Sequence, residues 1–305
     1  MNVGFVGLGN LGRNLAACIL RAGFPLTVHD REPDAAAAVL AAGAAWAGSA
    51  RAVAEGSDAV ITCLPSPAAV DDAVAGADGI LAGLRSGGTW IDTSTNDPHE
   101  VQRLAALAAA RGVSTLEAPV TGGVHKAAAC EITVIVGGDA GVVAANRALL
   151  EAFGGRVFHV GPLGAASAMK VITNMLAFVH VVAAGEALML AKRAGLDLAE
   201  AFEVIRASSG NSFVHETESQ VILNGSYDIG FTIELALKDL GFARELGLEH
   251  GVPLELAAVV EHAFLRARER YGASAWSPMV VKLLEDALGT ELRASGFPAT
   301  LEAGS

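Results

Sequence analysis

Three glycines near the N-terminus, Gly7, Gly9 and Gly12, stand at the spacing of a turn that holds a pyrophosphate. In such a turn Gly7 permits the tight bend and Gly9 lets the backbone approach the phosphate. Gly12 lets the following helix pack on the strand behind it. The stretch reads Gly7-Leu8-Gly9-Asn10-Leu11-Gly12, preceded by the apolar run Val3-Gly4-Phe5-Val6 and followed by a helical pattern from Arg13 to Ala22. The helix start then offers unpaired N–H groups and a positive dipole end to an anion. A second apolar run, Leu26-Thr27-Val28, ends in His29-Asp30. An acid there, about 20 residues on, can hydrogen-bond a ribose diol. Arg31 follows at once and could pair with a 2′-phosphate instead. The acid holds the strand-end position, so NAD is expected, with NADP as the alternative. A tight turn of an ordinary α/β protein would share the glycines but has no need of the acid.

Lys170 is the sharpest single residue. It opens a long apolar stretch, and Asn174 follows four residues on, so both project from one helix face. A lysine entering an apolar cleft is disposed to trade protons, because desolvation disfavours its charged form. A lysine snorkelling from a helix end would look the same in sequence. Three loops at predicted strand ends add candidates: Leu64-Pro65-Ser66-Pro67, Asp92-Thr93-Ser94-Thr95 and Ala118-Pro119-Val120-Thr121-Gly122-Gly123. Hydroxyls and bare glycine N–H groups there could hold a cofactor and a small anion, with Lys126 further along the third loop. Taken singly, each loop fits ordinary turn chemistry.

The elements that must position these residues alternate in the first half. Strands are expected at 3–6, 26–28, 59–64, 89–92, 114–117, 132–136 and 156–160, and helices at 34–42, 98–111 and 140–153. That order predicts a doubly wound, mainly parallel sheet of Rossmann type over residues 1–162. After Gly161-Pro162-Leu163-Gly164 the pattern holds no convincing strand. One long helix from Ala165 to Ala194 is expected, then helices at 197–207, 234–250, 253–270 and 278–288. This makes residues 163–292 an all-helical substrate and oligomerisation domain, with 293–305 a frayed tail. The chain is α/β overall, its two domains joined by the long helix.

Composition limits the partners. At a net charge of -12 the chain has no basic stripe for nucleic acid. The uncharged stretch from Val171 to Gly185 is too short to cross a bilayer, so no membrane is expected. Cys18, Cys63 and Cys130 are odd in number and widely spaced, which reads as buried free thiols in a reducing, cytoplasmic compartment. The histidines lack ligand spacing, so no metal is expected. A long helix apolar on more than one side must be covered, which points to a homodimer or homotetramer.

Taken in order, the glycine turn, Leu64-Pro65, Asp92-Thr93-Ser94-Thr95, Pro119-Val120-Thr121-Gly122-Gly123, Gly164…Lys170…Asn174 and Leu237-Lys238-Asp239-Leu240 resemble the β-hydroxyacid dehydrogenase family. That family includes 3-hydroxyisobutyrate dehydrogenase and tartronate semialdehyde reductase. The resemblance runs from residue 2 to about residue 290. It implies hydride transfer between a nicotinamide and a small anionic β-hydroxy acid or its semialdehyde. It implies Lys170 as general acid/base, Asn174 as its substrate-orienting partner, and Thr121, Gly122 and Gly123 as the substrate anchor. Leu64, Pro65 and Thr95 would line the nicotinamide end. Phe231 and Lys238 would close over the cleft, with Asp239 accompanying Lys238. Thr121 replaces the family's commoner serine, and His125 and Lys126 replace small residues, so the departures fall on substrate identity. Two other readings share the fold: an imine reductase, which usually lacks the lysine, and a non-catalytic cofactor-binding module, which usually carries basic attachments.

Overall fold

The computed structural model describes residues 1–302. The chain divides into two compact units, Met1–Lys170 and Val171–Ser305.

The first unit is built on nine strands: β1 Val3–Val6, β2 Leu26–His29, β3 Ala45–Trp46, β4 Ala59–Thr62, β5 Thr89–Asp92, β6 Ser114–Glu117, β7 Val120–Thr121, β8 Ile132–Gly137 and β9 Gly154–Gly161. Their order is β3-β2-β1-β4-β5-β6-β8-β7, with β9 beside β8. Pairing is parallel from β3 through β6, and β8 turns antiparallel to β6 and β7. The chain reverses its direction of winding between β1 and β4, which is where such sheets bind ligands. β1, β4 and β5 are buried along their whole length, as continuous apolar runs in a parallel sheet require.

Nine helices wrap this sheet: α1 Gly12–Arg21, α2 Ala37–Ala41, α3 Ala50–Glu55, α4 Pro67–Ala75, α5 Ile80–Gly83, α6 Pro98–Ala109, α7 Gly123–Ala128, α8 Ala140–Ala145 and α9 Arg147–Phe153. One core holds Leu15, Ile19, Val39, Leu150 and Phe153. A separate core holds Val53, Val70, Val74, Ile80 and Leu104. Two cores with different helices are what winding on both sheet faces produces. The expected helix at 140–153 is broken at Asn146, whose side chain donates to the Val142 carbonyl at 2.9 Å. Such back-bonding competes with the helix ladder. The expected helix at 34–42 is shared between a 3₁₀ turn, Pro33–Ala36, and the short α2.

The long α10, Ala165–Arg193, runs on into the second unit. There follow α11 Leu198–Arg206, α12 Phe213–Asn224, α13 Ile233–Glu249, α14 Glu255–Tyr271 and α15 Lys282–Leu288. Phe178, Val181, Leu188 and Met189 of α10 pack in one core with Phe202, Ile222, Leu240 and Phe264.

Three expectations need correction. Cys18 and Cys130 are not free thiols but a disulfide, their Cα atoms 5.7 Å apart and 112 residues apart in sequence. Cys63 is the free cysteine among the described residues. The tail is not frayed over residues 293–299. Arg293 donates to Glu285 at 2.9 Å, the Ala294 amide to the Leu223 carbonyl at 3.0 Å and Asn224 to the Phe297 carbonyl at 2.9 Å. Phe297 meets Phe202 edge-on, so burial of an aromatic ring ties down a segment with no periodic pattern. Residues 303–305 of that tail lie outside the described residues. The third correction concerns α10. With 29 residues it is long and apolar enough to cross a bilayer, and 28% of its most apolar stretch is buried within the chain. The uncharged stretch is short, but the helix extends beyond it on both sides.

Candidate active site

The glycine turn is shaped by contact. A Cβ on Gly7, where φ is +100°, would meet the Cys63 carbonyl oxygen at 2.4 Å, and one on Gly12 would meet the Gly7 oxygen at 2.0 Å. Above Gly9 there is nothing within 4 Å, so the backbone is open on the side a pyrophosphate approaches. The first turn of α1 has no side-chain cap and no acid, which leaves its N-terminal dipole unopposed. Leu8 is fully buried, and Asn10 and Leu11 complete the turn. Asp30 accepts from the Leu8 amide at 2.6 Å and from the Glu32 amide at 2.9 Å. It thus holds the turn shut while each carboxylate oxygen keeps a lone pair for a ribose hydroxyl. Arg31 is exposed. These residues fit a dinucleotide.

Beyond β4 and β5 the loops are tied together by a buried carboxylate without an assigned role in the sequence reading. Asp92 accepts from the Thr62 hydroxyl at 2.8 Å, the Ser94 amide at 3.0 Å and the Asn96 side chain at 3.1 Å. Burial pushes its pKa up, and the Ser94, Asn96 and Thr62 donors oppose that. The Ser94 hydroxyl in turn receives the Leu64 amide at 2.9 Å. Leu64, Pro65 and Thr95 are thereby held at adjacent strand ends, Leu64 and Thr95 half-buried and Pro65 exposed.

The third loop leaves β7 at Thr121. Gly122 and Gly123 take φ values of +125° and +84°, a region that side chains other than glycine's strain to enter. Lys126 lies on α7 with its ammonium 3.9 Å from Glu131. His125 beside it is buried, and burial lowers its pKa.

Lys170 lies on α10 and is 7% exposed. Asn174, one turn on, is equally secluded and donates its amide to Asp239 at 2.6 Å. Asp239, on α13, is fully buried and also faces Lys238 at 2.8 Å. Lys238 lies over the Phe242 ring. Asp239, expected to accompany Lys238, thus meets both Lys238 and Asn174. Phe231, expected to close over the cleft, is half-buried and stacks on Phe178 against the core of the second unit. Glu117 is the residue that sequence reasoning passed over, and Asp92 was named in its loop without a role. The signal was position: each acid closes its strand and adjoins a candidate loop.

Residues 2–161 match the model of the NAD binding domain of 6-phosphogluconate dehydrogenase. Residues 164–284 match that of the NAD-binding domain of NADP-dependent 3-hydroxyisobutyrate dehydrogenase. The chain belongs to the β-hydroxyacid dehydrogenase family. This β-hydroxyacid dehydrogenase is 32% identical to the 2-(hydroxymethyl)glutarate dehydrogenase of Eubacterium barkeri, over 96% of this chain and 97% of the relative. It is 38% identical to the NAD-dependent L-serine dehydrogenase of Pseudomonas aeruginosa, over 80% and 84%. The crystal structure of 3-hydroxyisobutyrate dehydrogenase from Salmonella typhimurium superposes with a TM-score of 0.86 at 33% identity, covering 93% of this chain and 99% of that one. The protein is an NAD(P)-dependent oxidoreductase of hydroxy acids.

Proposed function

We propose that this dehydrogenase interconverts a short β-hydroxy acid and its semialdehyde, with Lys170 as the proton-transfer group. The observation that carries this is the placement of Lys170 and Asn174, both secluded from water on one face of α10, with the Asn174 amide gripped by Asp239. A nicotinamide cofactor held by the glycine turn and Asp30 would supply the hydride chemistry. In the oxidation direction, neutral Lys170 Nζ takes the hydroxyl proton as the C–H bond gives up its hydride, and in reduction the ammonium returns it. Asn174, with one amide N–H held by Asp239, is set beside Lys170 to orient the substrate. The Thr121 hydroxyl and the Gly122 and Gly123 amides hold the substrate anion. The acids named for the relatives support this, since 2-(hydroxymethyl)glutarate, serine and 3-hydroxyisobutyrate all carry a hydroxymethyl group next to a carboxylate-bearing carbon. The lysine favours this chemistry over imine reduction and over a non-catalytic role. Lys126, turned toward Glu131, serves the substrate anion less directly than the glycines.

NAD is the proposed cofactor because Asp30 stands at the end of β2 and would repel a 2′-phosphate. The exposed apolar side of α10 is proposed to pack in a homo-oligomer, not in a bilayer or on nucleic acid. Lys170, Asn174, His180 and Glu186 along that helix would all be costly in hydrocarbon. The cytoplasm, which holds nicotinamide cofactor, is the proposed compartment.

The test is spectrophotometric. Nicotinamide reduction is followed with serine, 3-hydroxyisobutyrate, 2-(hydroxymethyl)glutarate and glycerate, each with NAD and NADP. Lys170→Ala is expected to lower kcat about a hundredfold or more while cofactor binding is retained. Near-normal turnover by the folded variant would overturn the mechanism.

A further inference from the structure

We propose that Glu117 is the positioning residue that sets Lys170 against the substrate-anchoring loop, an inference that rests on Lys170 being the proton-transfer group. Glu117 closes β6 and is 1% exposed. Its carboxylate accepts from the first turn of α10: the Gly164 amide at 2.7 Å, the Ala166 amide at 2.8 Å, the Ser167 amide at 3.2 Å and the Ser167 hydroxyl. The opening N–H groups of a helix have no partners within it. Here a carboxylate from a distant strand supplies them, where a local cap would ordinarily do so. Fixing Ser167 fixes Lys170, because three residues along an α-helix is less than one turn and a rise of about 4.5 Å.

The same residue begins the segment that carries the anchor. Three residues separate Glu117 from Thr121, and each stage between them is pinned. The Ala118 amide donates to the Asp92 carbonyl at 2.6 Å. The Pro119 carbonyl receives the Ile135 amide at 2.9 Å. Val120 and Thr121 then pair with Val134 and Thr133 of β8. One rigid stretch thus bears the anchoring loop at one end and the origin of the lysine's helix at the other.

The sheet makes room for this carboxylate at a single place. Gly137 of β8 is the register partner of Glu117, and a Cβ there would meet Glu117 Oε1 at 2.2 Å. An alanine at 137 would displace the carboxylate while leaving Lys170, Thr121 and the cofactor turn unaltered in sequence. Charge also matters. Four donors converge on two oxygens, so an amide at this position would set its own N–H groups against at least one of them.

The experiment compares the parent enzyme with Glu117→Gln, Glu117→Ala and Gly137→Ala. Three quantities are read: amide hydrogen exchange in residues 164–167, kcat and KM for the hydroxy acid, and NAD affinity by fluorescence. All three variants are expected to lose exchange protection in 164–167. Their kcat should fall about tenfold to a hundredfold, while NAD affinity stays within about twofold of the parent, as a cofactor turn out of reach of the change requires. Glu117→Gln, which keeps two acceptor positions, should fall least. Exchange protection lost with kcat unchanged would overturn the proposal. So would kcat and NAD affinity collapsing together, which marks general damage. If Glu117→Ala fails to fold, the Gln and Gly137→Ala variants decide the matter. A parent without hydroxy-acid activity overturns the function and with it the catalytic part of this inference. The exchange measurement still establishes or refutes the cap by itself.

Discussion

At Asn174 one amide N–H is committed to Asp239, 2.6 Å away, which fixes the orientation of the side chain. Asp239→Ala is expected to release that amide and lower kcat about tenfold or more, since small misplacements of a positioned group are amplified in rate. Steady-state kinetics beside a melting curve would check this, and an unchanged kcat would show that Asn174 is held by other means. Cys63 behaves differently from a reactive thiol. Burial pushes its pKa up to about 12, so iodoacetamide at pH 8 should leave it unmodified in the native protein and label it after unfolding. The thiol's folded pKa is raised, so its contribution is complete below the ordinary thiol value and is lost as pH rises toward about 12.

Among the elements, α1 and α7 carry the two loops that matter most, the glycine turn and Thr121-Gly122-Gly123, at their N-terminal ends. Their C-terminal ends are joined through Cys18 and Cys130, and Arg21 of α1 donates to the Ala128 carbonyl at 2.9 Å. A bridge that closes 112 residues restricts the unfolded chain strongly, by about 4–5 kcal/mol in the chain-entropy account. Reduction with a phosphine should therefore lower Tm by about 5 °C or more. Identical calorimetric traces with and without reductant would show that the pair is not bridged in solution. The sequence did not reveal this pairing because nothing local links position 18 to position 130. The sheet order brings α1 and α7 together, and with them the two sulfurs.

For the molecule as a whole, several large apolar side chains of the helical unit lie exposed. Leu176 and Leu190 on α10, Leu248 on α13 and Leu256 and Val259 on α14 all lie open, and large uncovered apolar surface marks an interaction site. Sedimentation at micromolar concentration is expected to show a dimer or tetramer, and a stable monomer would refute it. The α/β class, the glycine turn with Asp30, the change to helices after Gly164 and the candidacy of Lys170 and Asn174 were all legible from the sequence, because each rests on local spacing: a period of two or 3.6, a turn, a capping residue. Tertiary structure alone decided the rest. β3 and β7 are two residues long, too short to show a period. Asp92, Glu117 and Asp239 are acids whose work is to receive hydrogen bonds from segments far away in sequence. Buried carboxylates must find donors wherever the fold provides them, and only the folded chain shows that Glu117 finds them at the helix that carries Lys170.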